Sequence, residues 1–238
     1  MTRPETRAAG PMSDNWLTFD CYGTLVDWRS GMLGDLHAVA GARAGELLDA
    51  YHRHEPAVQA ENPAASYREV LAESLRRAAA DTAIPLPPGG DQVFGDGLTR
   101  WPRFPETDEV LAALADAGFR LGILSNVDRE LIEVTVDGFP VPIDLVLTSE
   151  DVGSYKPAAG HFATFAQRAG VAPGRWAHVA CSWFHDVEPA QRHGALAVCV
   201  EREPDGRDTR GAAAVISSLE PLPDIARALF KGTPHTEE

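Results

Sequence analysis

The chain is poor in cysteine, in basic residues and in long apolar runs, and each shortage removes a class of function. Three cysteines in 238 residues, Cys21, Cys181 and Cys199, cannot build the disulfide framework of a small secreted scaffold, so a reducing, cytoplasmic setting is expected. Lysine and arginine number 21 against 35 aspartates and glutamates, a formal charge of -14. That balance argues against a broad nucleic-acid surface or adhesion to acidic lipid, while leaving room for a local cationic pocket. No apolar run approaches the roughly 20 residues of a membrane span. The opening MTRPETRAAGPMS lacks the continuous apolar core of a signal peptide or anchor. The expected partner is a small anionic molecule, with no nucleic acid and no membrane; a homodimer is left open.

What the chain does have is an alternation of periods. Short runs rich in Val, Ile and Leu recur at Trp16–Phe19, Arg120–Leu124, Ile143–Thr148, His178–Cys181 and Ala195–Val200. Helical patterns lie between several of them. Asp108–Ala117 puts Val110, Leu111 and Leu114 on one face and stops at Gly118; another starts near Pro157 and carries Phe162, Phe165 and Ala169 up to Gly170. Strands buried on both faces and separated by helices predict a parallel, doubly wound, Rossmann-like α/β sheet, whose ligands bind beyond the carboxyl ends of the strands.

Residues 30–104 interrupt the alternation with helical patterns alone, at Leu33–Ala40, Gly45–His54 and Ser66–Ala80. The last opens on a capping box, Ser66-x-x-Glu69, and repeats Tyr67, Val70, Leu71 and Leu75 along one face. A helical cap inserted after the first strand is expected there. The core is then residues 14–29 and 105–230, with disordered tails at 1–13 and 231–238.

Four polar stretches fall at expected strand ends. Asp20 is delivered by LTF and followed by the Gly23-Thr24 turn, where glycine permits the bend and the threonine hydroxyl can hold a carboxylate. Ser125 and Asn126 follow the second strand as hydrogen-bond donors for an anion. Lys156 stands before Pro157, and Asp186 follows the strand ending near Cys181. A carboxylate nucleophile needs a cation to orient it and to neutralise developing charge; Lys156 suits that task, with Asp186 holding the ammonium. His178, Cys181 and His185 have zinc-ligand chemistry, but side chains three apart on a strand face opposite sides, so a packed thiol and two local histidines are expected instead.

Taken in order, Asp20-x-Tyr22-Gly23-Thr24, Ser125-Asn126, Lys156-Pro157 and the Ser182…Asp186 stretch resemble the haloacid dehalogenase superfamily, and Tyr22 is similar to the type II 2-haloacid dehalogenase branch. The resemblance implies a Rossmann-like core, a helical cap and an aspartyl-ester intermediate. It also implies a cap arginine for the departing halide; Arg53, in LLDAYHRHEPAVQ, stands nearest that place, with His52 as competitor. Where phosphatases of the superfamily carry a second acid and an acidic start to the fourth motif, this chain has Tyr22 and Cys181. Where its dehalogenases carry serine, asparagine and tyrosine, it has Cys181, Trp183 and Phe162.

The missing acids order the candidate activities. Expelling an alkoxide from a phosphate ester gains ~10²–10⁴ in rate from a general acid, whereas halide, a very weak base, needs none. Hydrolytic dehalogenation of short 2-haloalkanoic acids is therefore the expected activity. Its catalytic group is Asp20, Thr24, Ser125, Lys156 and Asp186, and its substrate contacts are Tyr22, Arg53, Asn126, Cys181, Ser182 and Trp183. No cofactor is required; a weak magnesium site would have only Asp20 and Asp186 as ligands. The alternatives are a magnesium-dependent phosphatase acting on a small metabolite and a non-catalytic relative that binds a small anion.

Overall fold

A computed structural model describes residues 14–62, 65–203 and 206–231; the tails expected at 1–13 and 231–238 lie outside these, Lys231 apart. The apolar runs become β1 (Trp16–Phe19), β2 (Arg120–Ser125), β3 (Leu145–Thr148), β4 (Trp176–Ala180) and β5 (Leu196–Val200), joined by a sixth strand, β6 (Ala214–Ile216). All pair in parallel in the order β3-β2-β1-β4-β5-β6. The chain winds outward from β1 through β2 to β3, then returns to the other side of β1 to start β4. The switch point is the crevice between β1 and β4, where a doubly wound sheet opens a ligand site.

Ten α-helices are present among the described residues: α1 (Trp28–Ala40), α2 (Ala44–Glu61), α3 (Tyr67–Thr82), α4 (Val93–Gly97), α5 (Thr107–Asp116), α6 (Arg129–Asp137), α7 (Ser149–Val152), α8 (Gly160–Ala169), α9 (Glu188–Arg192) and α10 (Leu222–Leu229). The described residues between β1 and β2 form helices and connecting turns. Phe162 and Phe165 of α8 pack with Trp16, Leu124 and Trp176 on one face of the sheet. On the other face a single core runs from Leu17, Phe19 and Ile123 into Leu36, Leu48, Tyr51, Leu71 and Phe94 of the helical segment. Shared apolar burial therefore fixes these helices over the strand ends.

Two polar clamps set their height above the sheet. The capping box of α3 forms as the sequence predicts, Ser66 Oγ accepting from the Glu69 amide and Glu69 accepting from the Ser66 amide. The same helix start donates Tyr67 and Arg68 amides to the buried Asp128 carboxylate at 2.7 and 2.9 Å, satisfying orphan N–H groups with a charge the helix dipole favours. Asp128 belongs to the loop after β2, so the cap helix is tied to the loop that carries Ser125 and Asn126. Tyr155 Oη donates to the Ala65 carbonyl at 2.7 Å, tying it also to the Lys156 loop.

Candidate active site

β1 ends at Phe19 and the chain turns at once. Cys21 accepts amide hydrogen bonds from Thr24, Leu25 and Val26, and Gly23 takes φ +102. A Cβ there would stand 2.8 Å from both Cys181 Sγ and Trp28 Nε1, so glycine is required by conformation and by space. The turn brings Thr24 back onto the carboxylate four residues earlier. Its hydroxyl donates to Asp20 Oδ2 at 3.1 Å and accepts from the Cys181 amide at 3.0 Å, bridging the ends of β1 and β4.

Lys156 completes the centre. Its Nζ donates to Asp20 Oδ1 at 2.8 Å, to Asp186 Oδ1 at 2.6 Å and to the Leu124 carbonyl at 2.8 Å, so all three ammonium protons are used. The side chain is 2% exposed against 13% for Asp20: the cation is enclosed and the carboxylate faces the cavity. The Lys156 backbone is held by Asn126, whose Oδ1 accepts from the Lys156 amide at 2.6 Å and whose Nδ2 donates to the Lys156 carbonyl at 3.2 Å. Asn126 thus braces the lysine loop while also lining the cavity. Ser125 Oγ accepts from the Val127 amide at 3.3 Å and keeps its own proton for a ligand.

Asp186 lies within a π-helical turn, Trp183–Val187, in which the Val187 amide reaches the Ser182 carbonyl. His178 Nε2 lies 3.1 Å from Asp186 Oδ1 and His178 Nδ1 lies 2.8 Å from Thr18 Oγ1. His178 was expected only as a local packed residue. Its register partner across the sheet is Thr18, two residues before Asp20 and so on the same side of β1; that parity was the available signal. The wide turn also corrects Trp183, whose side chain packs on the cluster of Val187, Ala197 and Cys199. Phe184 and His185 face the cavity in its place, and Ser182 Oγ pairs with His185 Nδ1 at 3.0 Å.

The electrostatics follow from enclosure. Burial, reinforced by Asp186, pushes the Asp20 carboxyl above its ordinary value against the opposing pull of Lys156. At Asp186 burial also acts upward, but the Lys156 ammonium and the His178 hydrogen bond outweigh it and hold the group at about 2. Lys156 resists burial because two carboxylates flank it, and its pKa rises. Cys181 is pushed up to about 12 by burial and by Asp20, and Tyr22 rises too, chiefly by burial; both stay neutral. Tyr22 is not free to touch a ligand through its hydroxyl, which pairs with Thr135 Oγ1 at 2.8 Å, and its ring stands edge-on to Trp101 as a wall.

These groups line a cavity of about 400 Å³ under the cap. Arg53 is absent from its lining. The guanidinium turns outward, 59% exposed, to Asp81 at 3.1 Å, because the next residue round α2, His52, takes the inward face and stacks edge-on against Trp28 at 4.8 Å. Magnesium demands near-octahedral oxygen ligation. The second and third acids are replaced by neutral Tyr22 and Cys181, and Lys156 already sits on both remaining carboxylates. Among the described residues no group of three or more His, Cys, Asp and Glu could hold a metal ion.

Known proteins resemble the chain in sequence and in fold. The mouse haloacid dehalogenase-like hydrolase domain-containing protein 3 is 31% identical over 131 residues, 54% of this chain and 52% of its own length. A glyceraldehyde 3-phosphate phosphatase of Methanothermobacter thermautotrophicus is 32% identical over 105 residues, 42% of this chain and 45% of its own. The chain thus spans about half the length of the curated relatives it matches. A crystal structure of an L-2-haloacid dehalogenase superposes with a TM-score of 0.80 at 23% identity, covering 90% of this chain and 98% of that one, a likeness of fold. The model of the haloacid dehalogenase-like hydrolase family matches residues 15–194, a span that holds every member of the Asp20–Lys156–Asp186 centre. The chain belongs to that family of enzymes.

Proposed function

We propose that the protein hydrolyses a 2-haloalkanoic acid through an ester on Asp20, without a metal. The observation that carries this is the Lys156 ammonium bridging Asp20 and Asp186 at 2.8 and 2.6 Å, with neutral Tyr22 and Cys181 beside it. A Thr24 hydroxyl and the ammonium fix both oxygens of Asp20, and the lone pairs they leave serve in-line attack on the carbon bearing halogen. Burial keeps this carboxylate more basic than an ordinary one, and the halide departs without an acid. The Ser125 hydroxyl and the backbone amides after β2 receive the substrate carboxylate. Water then attacks the Asp20 carboxyl carbon, returning Asp20 and releasing a 2-hydroxy acid. His185 lines the floor beside Asp186, and burial holds its ring below its ordinary pKa, so it is neutral and able to take the water's proton.

Similarity to a phosphatase favours a second reading, phosphate-ester hydrolysis; the donor set opposes it. One preparation assayed with 2-chloropropionate and with phosphate monoesters, with and without chelator, decides between them. Halide release indifferent to EDTA is expected. Magnesium-dependent phosphate release with no halide release would overturn the proposal.

A further inference from the structure

The cap side of the cavity carries a polar cluster that the displacement chemistry does not use. On α2 and α3, Tyr67 Oη and Gln59 Nε2 both donate to Glu55 Oε1 at 3.2 Å; neither of them donates to Oε2. Glu55, Gln59, Tyr67 and His52 all line the cavity. His52 Nε2 is buried without a hydrogen-bond partner, an arrangement that native structures tolerate when something else fills it. Tyr51 Oη lies beside Glu55 and Tyr67 and interacts with both, so it belongs to the same polar cluster.

Charge sharpens the point. Of the lining residues Lys156 is the one lysine or arginine, and its protons are spent on Asp20, Asp186 and Leu124. Arg53, which could have met an anion or a halide here, is turned out to Asp81. The cap wall therefore offers a carboxylate and an imidazole nitrogen and no cation, a set that rejects an anionic group and receives a donor. Size agrees. A cavity of about 400 Å³ has room for roughly a dozen water-sized groups, well beyond the six heavy atoms of 2-chloropropionate.

We infer that this wall is a subsite for the far end of the substrate, and that Glu55, with His52 beside it, selects a hydrogen-bond donor there, an ammonium or a hydroxyl. The inference rests on the proposed attack of Asp20 on a 2-haloacid and names the part of that substrate the cap reads. The carboxylate and halogen stay at the strand ends while the side chain reaches across the cavity to α2.

The test compares halide release from 2-bromohexanoate, 6-hydroxy-2-bromohexanoate and 6-amino-2-bromohexanoate by the full-length wild type, Glu55→Gln and Glu55→Leu. Each preference is read as a ratio of kcat/KM within one variant, so a general loss from poor folding cancels. The wild type should favour a donor-terminated substrate by roughly 10- to 100-fold, the scale of one hydrogen bond to a charged group. Glu55→Leu should abolish the preference; Glu55→Gln should keep it for hydroxyl and lose it for ammonium. A wild-type ratio near one, or a ratio unchanged in both variants, overturns the subsite. Calorimetry with 6-aminohexanoate runs in parallel and needs no turnover. If no bromide is released from any substrate, the reaction assigned to Asp20 fails, and the subsite is then judged by binding alone. Affinity lost in Glu55→Leu supports it; no binding, or equal binding by all three proteins, refutes it.

Discussion

Replacing Lys156 by methionine removes the charge while keeping much of the stem, and the structure fixes what should happen. The ammonium is 2% exposed and hydrogen-bonded to two carboxylates and a carbonyl. Taking one partner out of a buried ionic group costs about 3–5 kcal/mol, because the remaining charges are left uncompensated. For a chain of this size each kcal/mol lowers the melting temperature by about 2–4 °C, so a fall of roughly 6–20 °C is expected at pH 7. The loss should depend on pH with a definite sign. In the variant Asp20 and Asp186 repel without a cation between them, so their folded pKa values rise above the unfolded ones. Protonation on acidification then relieves the folded state, and the variant should gain on the wild type between pH 7 and 5. At Asp186 the wild type behaves oppositely. Asp186 is held at about 2, so its stabilisation is present above the unfolded carboxylate value and is lost only as pH falls through about 2. Turnover should drop by at least ~10², the scale of one preorganised electrostatic partner. Thermal melts of both proteins across pH 5–8, with a rate assay at each point, measure all of this. Equal melting at pH 7, or a difference that does not narrow toward acid, would refute the claim that Lys156 neutralises a buried carboxylate pair.

Arg53→Ala should leave turnover within about twofold of wild type, since an exposed ion pair such as that with Asp81 contributes ~0–1 kcal/mol; a large loss in steady-state assays would restore it to the site. Gly23→Ala forces a side chain into φ +102 and against Cys181 and Trp28. It should cost about 1–3 kcal/mol in denaturant melts and slow turnover by displacing the Thr24 bridge, and an unchanged protein would contradict the close packing of the turn.

The strand ends were legible in the sequence because apolar runs bounded by Gly, Pro and polar residues carry their own signal. The 3-residue β6, with Val215 exposed at 42%, carries almost none. The helical pattern expected to end at His54 stops short, for α2 continues through Pro56 to Glu61, tertiary packing overriding the lost amide. That longer helix is what puts Glu55 and Gln59 over the cavity. Position within the four motifs could be read residue by residue; direction could not. Arg53 and His52 are neighbours in sequence and point opposite ways on α2. Trp183 and Phe184 exchange roles because a π-helical turn shifts the register that a regular helix would have given. Asn126 has the right chemistry for an anion, and only the structure shows that it also braces the Lys156 loop.

Single-turnover reaction in heavy-oxygen water, with enzyme in excess over 2-chloropropionate, addresses the ester on Asp20 most directly. After digestion, mass spectrometry of the peptide spanning Asp20 reads where the solvent oxygen went. If Asp20 attacks carbon and water then attacks the Asp20 carboxyl, the label enters Asp20 and the first-turnover hydroxy acid is unlabelled, while Asp20→Asn gives neither label nor halide. Label in the hydroxy acid with an unlabelled Asp20 would mean that water attacks the substrate directly and that Asp20 is not the nucleophile.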